Sequence, residues 1–275
     1  MVADLHLHTT ASDGTDTPNE IVSLAIRHGL KAIAITDHDT IDGYKWLSSD
    51  ARNSLRIIPA IEVSTAAGHR SVHILGYGID INSDCLNKYM LRASEEKTEN
   101  TLINFQHAQK LGVIDYPWEQ VLRHFPGQRR ISGVHVVRAM ETDHVKAKNM
   151  SLWELFHLHF HVKGEAFIST ETLTGQDAID VIKTSGGIPV VAHPAAIGND
   201  DVVASLIACG AEGLEAYHPI HSKADEQRYL AMAQKYNLHI SGGTDWHGGN
   251  NGLEVTHFAM RGLKNSDSSL LQALK

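Results

Sequence analysis

The chain has 275 residues, 42% of them hydrophobic, enough to bury a sizeable core and to exclude wholesale disorder. Its formal net charge of −8 argues against non-specific binding of a polyanionic duplex as the main task. Only two cysteines, Cys85 and Cys209, are present and they lie far apart, which argues against a disulfide framework or a thiolate zinc site and for a reducing compartment.

The first segment, Val2 to His8, reads as a β-strand with two histidines at a spacing of two. Strand side chains alternate, so His6 and His8 share one face while Leu5 and Leu7 share the other. A capping box at Thr17-Pro18-Asn19-Glu20 starts a helix that Gly29 suits to end. Lys31 to Thr36 follows as a buried strand, then a short helical stretch near Asp42 to Ala51, then strands Leu55 to Val63 and Ser71 to Tyr77. From Asp84 to Phe160 the pattern turns helical with charged faces. It reads as an inserted helical subdomain, bounded at 83–164, within a barrel formed by 1–82 and 165–275.

The β/α alternation then returns. Helices Gln176 to Thr184, Asp201 to Cys209 and Lys223 to Tyr236 precede strands Ile188 to Ala192, Gly213 to Ala216 and Leu238 to Ser241. Repeated βα units with helical crossovers predict an α/β fold with a parallel sheet closed as a barrel. The N-terminus has no basic region followed by an apolar stretch, and no apolar run reaches membrane-spanning length. A soluble, cytoplasmic protein without a membrane partner is expected.

Nineteen histidines point to metal or acid–base work. Many of them, with carboxylates, fall at strand ends: His6 and His8 with Asp13 just beyond, Asp37-His38-Asp39, Glu62, His73, His193, Glu215 to His218, and Asp245-Trp246-His247. In a βα barrel such ends converge on one mouth. His6, His8, Asp13, His38, Glu62, His73, His193, Asp245 and His247 are thus the candidate metal ligands. Their mixture of imidazole and carboxylate suits zinc, manganese or iron. They are too many for one ion and suit two or three ions sharing a bridging carboxylate.

The Asp4-Leu5-His6-Leu7-His8 run, Ser12-Asp13-Gly14, Thr36 to Asp39, Glu62, His73, Ala192-His193-Pro194 and Gly243 to His247 resemble the PHP (polymerase and histidinol phosphatase) superfamily in the right order across nearly the whole chain. The layout is similar to the bacterial branch that contains nucleoside 3′,5′-bisphosphate phosphatases. The resemblance implies a distorted seven-stranded (β/α) barrel and a trinuclear centre. One ion would take His6, His8, Glu62 and Asp245. The second would share Glu62 and add His73 and His193, and the third would take Asp13, His38 and His247. A hydroxide held between two ions would be the nucleophile. Asp4, Asp37 and Asp39 are candidates to orient ligand imidazoles, with helix or turn capping the equal alternative for Asp39.

Relatives in that branch carry an Arg-x-His pattern in the insertion and an arginine after the His-Pro motif. Here Gly133 stands in the first arginine's place ahead of His135, and the stretch Ala195 to Asn199 just after Pro194 holds no arginine. An arginine fork is the preferred phosphate clamp, so a second phosphate on the substrate loses its expected partner. Arg130, His135 and His221 are then the candidate substrate-binding residues, and His218 the candidate catalytic acid. The expected function is metal-dependent hydrolysis of a phosphate ester in a small nucleotide- or sugar-phosphate-like metabolite, with no stable nucleic-acid complex. The alternatives are a cyclic phosphodiesterase on the same metal core, an exonuclease trimming short oligonucleotides, and a non-catalytic, metal-stabilised binding module.

Overall fold

The computed structural model describes residues 2–67, 70–170, 172–249, 258–259, 262–263 and 269–274. Seven strands make one sheet in chain order: β1 Ala3–Leu7, β2 Ala32–Ile35, β3 Arg56–Ala67, β4 Arg70–Tyr77, β5 Ile188–Val191, β6 Gly213–Tyr217 and β7 His239–Gly242. Beyond the ends of β1 and β7 the ring closes: Leu7 bridges Trp246 in parallel, and the His8 amide donates to the Trp246 carbonyl at 2.9 Å. The result is the nearly closed seven-stranded barrel expected, with helices packed outside it.

The sheet is not uniformly parallel, which corrects the simple βα reading. β4 runs antiparallel to both β3 and β5, while the other neighbouring pairs are parallel. The reason lies in the connection. A parallel crossover needs a dozen or more residues, and the stretch between Val63 and Ser71 is too short to carry one. β3 instead runs on past Glu62 and returns as a hairpin, pairing Ser64 with His73. His73 therefore reaches the mouth from the middle of an antiparallel strand, paired beside the continuation of β3 past Glu62.

Local signals explain the remaining elements. Thr17 and Glu20 form the reciprocal capping box that starts helix Pro18–Arg27, and Gly29 follows with φ 70°. The helical stretch near Asp42 splits into Asp42–Lys45 and Ser49–Ser54. Inside the barrel the buried Tyr77 hydroxyl donates to the Leu5 carbonyl at 2.9 Å and lies 2.8 Å from Ser241 Oγ, tying β4 to strands across the ring.

Helices Asp84–Lys110, Trp118–His124, Gly133–Thr142 and Leu152–Leu155, with a π-helical turn Phe156–Phe160, occupy the stretch between β4 and β5. Phe105, Ile114, Val121, Val136, Met140 and Leu155 form a hydrophobic cluster there, separate from those around the barrel. A Cβ added at Gly133 would sit 2.3 Å from Phe160 Cβ, so this packing excludes any side chain at that position.

Candidate metal centre

β1 delivers His6 and His8, both fully buried, to the mouth. Their Nε2 atoms lie 3.2 Å from Glu62 Oε2, and 3.2 and 3.0 Å respectively from Asp245 Oδ1. Glu62, on β3, is the hub. Its Oε1 lies 3.0 Å from both His73 Nδ1 and His193 Nε2, and its Oε2 lies 3.1 Å from His38 Nδ1. On the outer side Asp13 Oδ1 is 3.4 Å from His247 Nε2, and Oδ2 is 3.9 Å from His38 Nε2. All nine expected ligand-type residues therefore meet in one mouth. Donor atoms fall within 4.8 Å of one another in the sets His6/His8/Glu62/Asp245, His8/Asp13/His38/His247 and His38/Glu62/His73.

The donor set fits cations for a specific reason. His6 Nε2, both ring nitrogens of His8, Asp13 Oδ1, Glu62 Oε2, His193 Nδ1 and Asp245 Oδ1 are buried without a hydrogen-bond partner. Each such group costs about 1–3 kcal/mol if left unsatisfied. So many unpartnered buried nitrogens and oxygens in one mouth match divalent ions held by nitrogen and oxygen. Electrostatics agree. Burial pushes the Glu62 carboxyl up, yet His38, His6 and His73 outweigh it and hold it well below the usual range. Burial pulls His247 down, yet Asp245 and Asp13 carry it to about 10. The pocket is thus built around mutual stabilisation of opposite charge.

The backbone is strained here. Asp39, His193 and Asp245 have φ of 54°, 26° and 51°. Such conformations cost on the order of 1–3 kcal/mol each and cluster at functional sites. One residue that anchors this strain was passed over in the sequence: Glu215 on β6. Fully buried, it faces His6 Nδ1 at 3.0 Å through Oε1 and accepts from the His193 amide at 2.7 Å through Oε2. His6 donating from Nδ1 turns its Nε2 lone pair toward Glu62 and Asp245. Glu215's place at a strand end, like the other ligand-type residues, was the available signal.

The expected orienting carboxylates act differently, a correction. Asp4 accepts from the Thr244 amide and hydroxyl at 3.0 and 2.6 Å, and burial raises its pKa to about 7. Asp37 accepts from Thr9 and Ser12, and Asp39 from the Ser64 amide and Arg130. They pin loops; the imidazole of His6 is oriented by Glu215.

The expected substrate contacts separate into two kinds. His135 accepts the Ser132 amide at Nδ1 and donates from Nε2 to the Ser12 carbonyl, each at 3.0 Å. His221 donates from Nδ1 to the Ala216 carbonyl at 2.9 Å and accepts the Ala195 amide at Nε2, 3.4 Å away. Both rings are buried with both nitrogens engaged, so neither has an atom left for a substrate phosphate. Arg130 is also buried, with Nε on Asp39 Oδ2 at 2.9 Å. Its Nη1 has no hydrogen-bond partner and lies 3.7 Å from Asp13 Oδ2. His218 accepts the Ile220 amide at Nδ1, which leaves Nε2 as the N–H facing Asp245 Oδ2 at 3.3 Å.

Residues 4–164 match the family model described as PHP domain. The chain is 29% identical over 251 residues to a phosphoribosyl 1,2-cyclic phosphate 1,2-diphosphodiesterase of Eggerthella lenta, covering 90% of this chain and 95% of that one. It is 28% identical over 264 residues to a 3′,5′-nucleoside bisphosphate phosphatase of Chromobacterium violaceum, with 92% and 90% covered. It is 30% identical over 258 residues to the 5′-3′ exoribonuclease Rnm of Salmonella typhimurium, with 90% and 85% covered. A solved structure from Bifidobacterium adolescentis shares the fold with a TM-score of 0.82 at 24% identity, covering 100% of this chain and 95% of that one.

Proposed function

The chain belongs to the PHP domain family, and from that premise we propose that it is a metal-dependent phosphoesterase acting on a small phosphorylated metabolite, nucleotide- or sugar-phosphate-like. The observation that carries the reading is the set of orphaned, buried nitrogen and oxygen atoms converging around Glu62. In this proposal three divalent ions (Mn²⁺, Fe²⁺ or Zn²⁺) are held: one by His6, His8, Glu62 and Asp245, one by Glu62, His73 and His193, and one by Asp13, His38 and His247. Bound ions of this kind neutralise phosphoryl oxygens and lower the pKa of water to near neutrality.

The chain's own groups then have distinct tasks. The imidazoles and carboxylates hold the ions in fixed geometry from rigid strands. Arg130 presents its unpartnered Nη1 to a phosphoryl oxygen. His218, with Nδ1 on the Ile220 amide and Nε2 on Asp245, orients that carboxylate, and the acid role expected for it falls away because its Nε2 proton is spent there. His135 and His221 drop out of the substrate-contact set because their nitrogens are spent. The helical segment 83–164 serves as a lid over the mouth, a reading supported by Arg130 reaching from it to Asp13 and Asp39. A covered mouth suits a small molecule better than a polymer. Cys85 and Cys209 are both free, in keeping with work in the cytoplasm.

The relatives act on three kinds of phosphate ester, and the test follows from them. Product release should be measured on nucleoside monophosphates, nucleoside 3′,5′-bisphosphates, sugar phosphates, five-membered cyclic sugar phosphates and short RNA, each with and without chelator. Chelator-sensitive turnover of a small ester is the expected result. Fast trimming of RNA with inert small esters would replace this reading by an exoribonuclease. Metal binding with no turnover of any class would replace it by a binding module.

A further inference from the structure

The outer edge of the metal mouth is held from outside the barrel. The loop after β1 carries Asp13, and the carbonyls of Ala11, Ser12 and Asp13 all accept hydrogen bonds from the helical segment. Gln128 Nε2 donates to Ala11 at 2.9 Å and to Ser12 at 2.6 Å. His135 Nε2 donates to Ser12 at 3.0 Å, and Arg138 Nη1 donates to Asp13 at 2.5 Å. The Asp13 carboxylate points the other way, toward His247, His38 and His8. One short loop thus has its backbone gripped by the helices and its side chain in the metal mouth.

We infer that the helical segment builds the third ion position: Gln128, His135 and Arg138 are positioning residues that fix the Ala11–Asp13 loop, and through it the Asp13 carboxylate, at the distance an ion shared with His38 and His247 requires. The inner positions need no such help. His6 and Glu62 sit within β1 and β3, whose ladders already fix them, and His8 follows β1 directly with its amide on the Trp246 carbonyl. A loop has no ladder; Asp37 pins this one at Thr9 and Ser12, and the helices hold it from the other side through the Ala11, Ser12 and Asp13 carbonyls. His135 is itself fixed by the start of helix Gly133–Thr142, where its Nδ1 accepts the Ser132 amide. The grip is therefore rigid at both ends. The helices do more than cover the mouth: they set whether the third ion binds.

The inference rests on the three-ion reading above, and the experiment separates the two. Mn²⁺ binding to the full chain is titrated by equilibrium dialysis with elemental analysis, in the wild type and in Gln128→Met, Arg138→Met and the double variant. Both side chains are only partly buried, so neither change should prevent folding, which circular dichroism checks. The wild type should take three ions. In the variants the weakest should bind about 10- to 100-fold less tightly, the range for losing a ligand's outer support, with the other two unmoved. Three ions bound with wild-type affinities in the folded double variant would overturn the grip. Equal weakening of all three would overturn it as well, by assigning these residues to general stability. A wild type that saturates at two ions would instead overturn the three-ion reading itself. If the double variant fails to fold, the two single variants decide by the same criterion, and His135→Gln, which can still donate to Ser12, should keep all three ions.

Discussion

The inner and outer halves of the metal mouth are built by different means. The inner half, around Glu62, draws on side chains from β1, β3 and β4, with His193 and Asp245 just beyond β5 and β7, and is locked by Glu215. The outer half is a loop carboxylate, Asp13, with His38 and His247, and is steadied by side chains more than a hundred residues away in sequence. The difference teaches where tolerance lies. Strand-borne side chains move only if the barrel moves, whereas the Asp13 carboxylate can be loosened by changing residues outside the mouth.

The sharpest way to break the comparison is to remove one carboxylate from each half. Glu62→Ala should cost about a thousandfold or more in kcat/KM, since the shared carboxylate's loss removes several kcal/mol of charge stabilisation. It should also deplete two ions together. Asp13→Ala should deplete one. Near-wild-type turnover in Glu62→Ala, or the same metal loss from both variants, would erase the distinction.

A smaller effect is expected at Glu215. Glu215→Gln keeps the shape but can satisfy only one of its two contacts, to His6 and to the His193 amide. Metal affinity in the inner half should fall about 10- to 100-fold, with the outer ion unaffected. An unchanged inner affinity would reduce Glu215 to packing.

The inner half was legible in the sequence because strand periodicity is short-range: His-x-His on one face of β1, and ligand-type residues at successive strand ends, need only the period-two rule. A barrel followed from the alternation of strands and helices, and its seven strands from the family resemblance. What escaped depended on pairings that no local window holds. The direction of β4 follows from a connection too short for a helix, and that signal was overridden by the βα rhythm around it. Gln128 and Arg138 bind backbone carbonyls 116 to 125 residues distant, where no side-chain pattern marks the acceptor. His135 looked like a phosphate ligand because histidine type says nothing of whether its two nitrogens are already spent. Glu215 stood in view at its strand end, but only the fold reveals that it faces His6.

The smallest effect sharpens the outer half. Burial lowers the His135 pKa from 6.5 to about 4, so the ring is neutral in the folded protein at neutral pH. Between those values the unfolded chain binds the extra proton, so stability falls as pH drops from 6.5 toward 4. This group's contribution is roughly 2 kcal/mol at pH 5. In His135→Gln, which can still donate to Ser12, metal-free protein should lose less stability between pH 7 and 5 than the wild type does. Identical slopes would show that the ring is not held neutral by the fold.

The central claim is that this barrel mouth is a three-ion phosphoesterase centre. Its most direct test is the number of ions per chain, by elemental analysis of protein expressed with ample Mn²⁺, Fe²⁺ and Zn²⁺ and freed of loosely bound metal. The account predicts close to three, falling toward one in Glu62→Ala. Saturation at two ions or fewer per wild-type chain would contradict it.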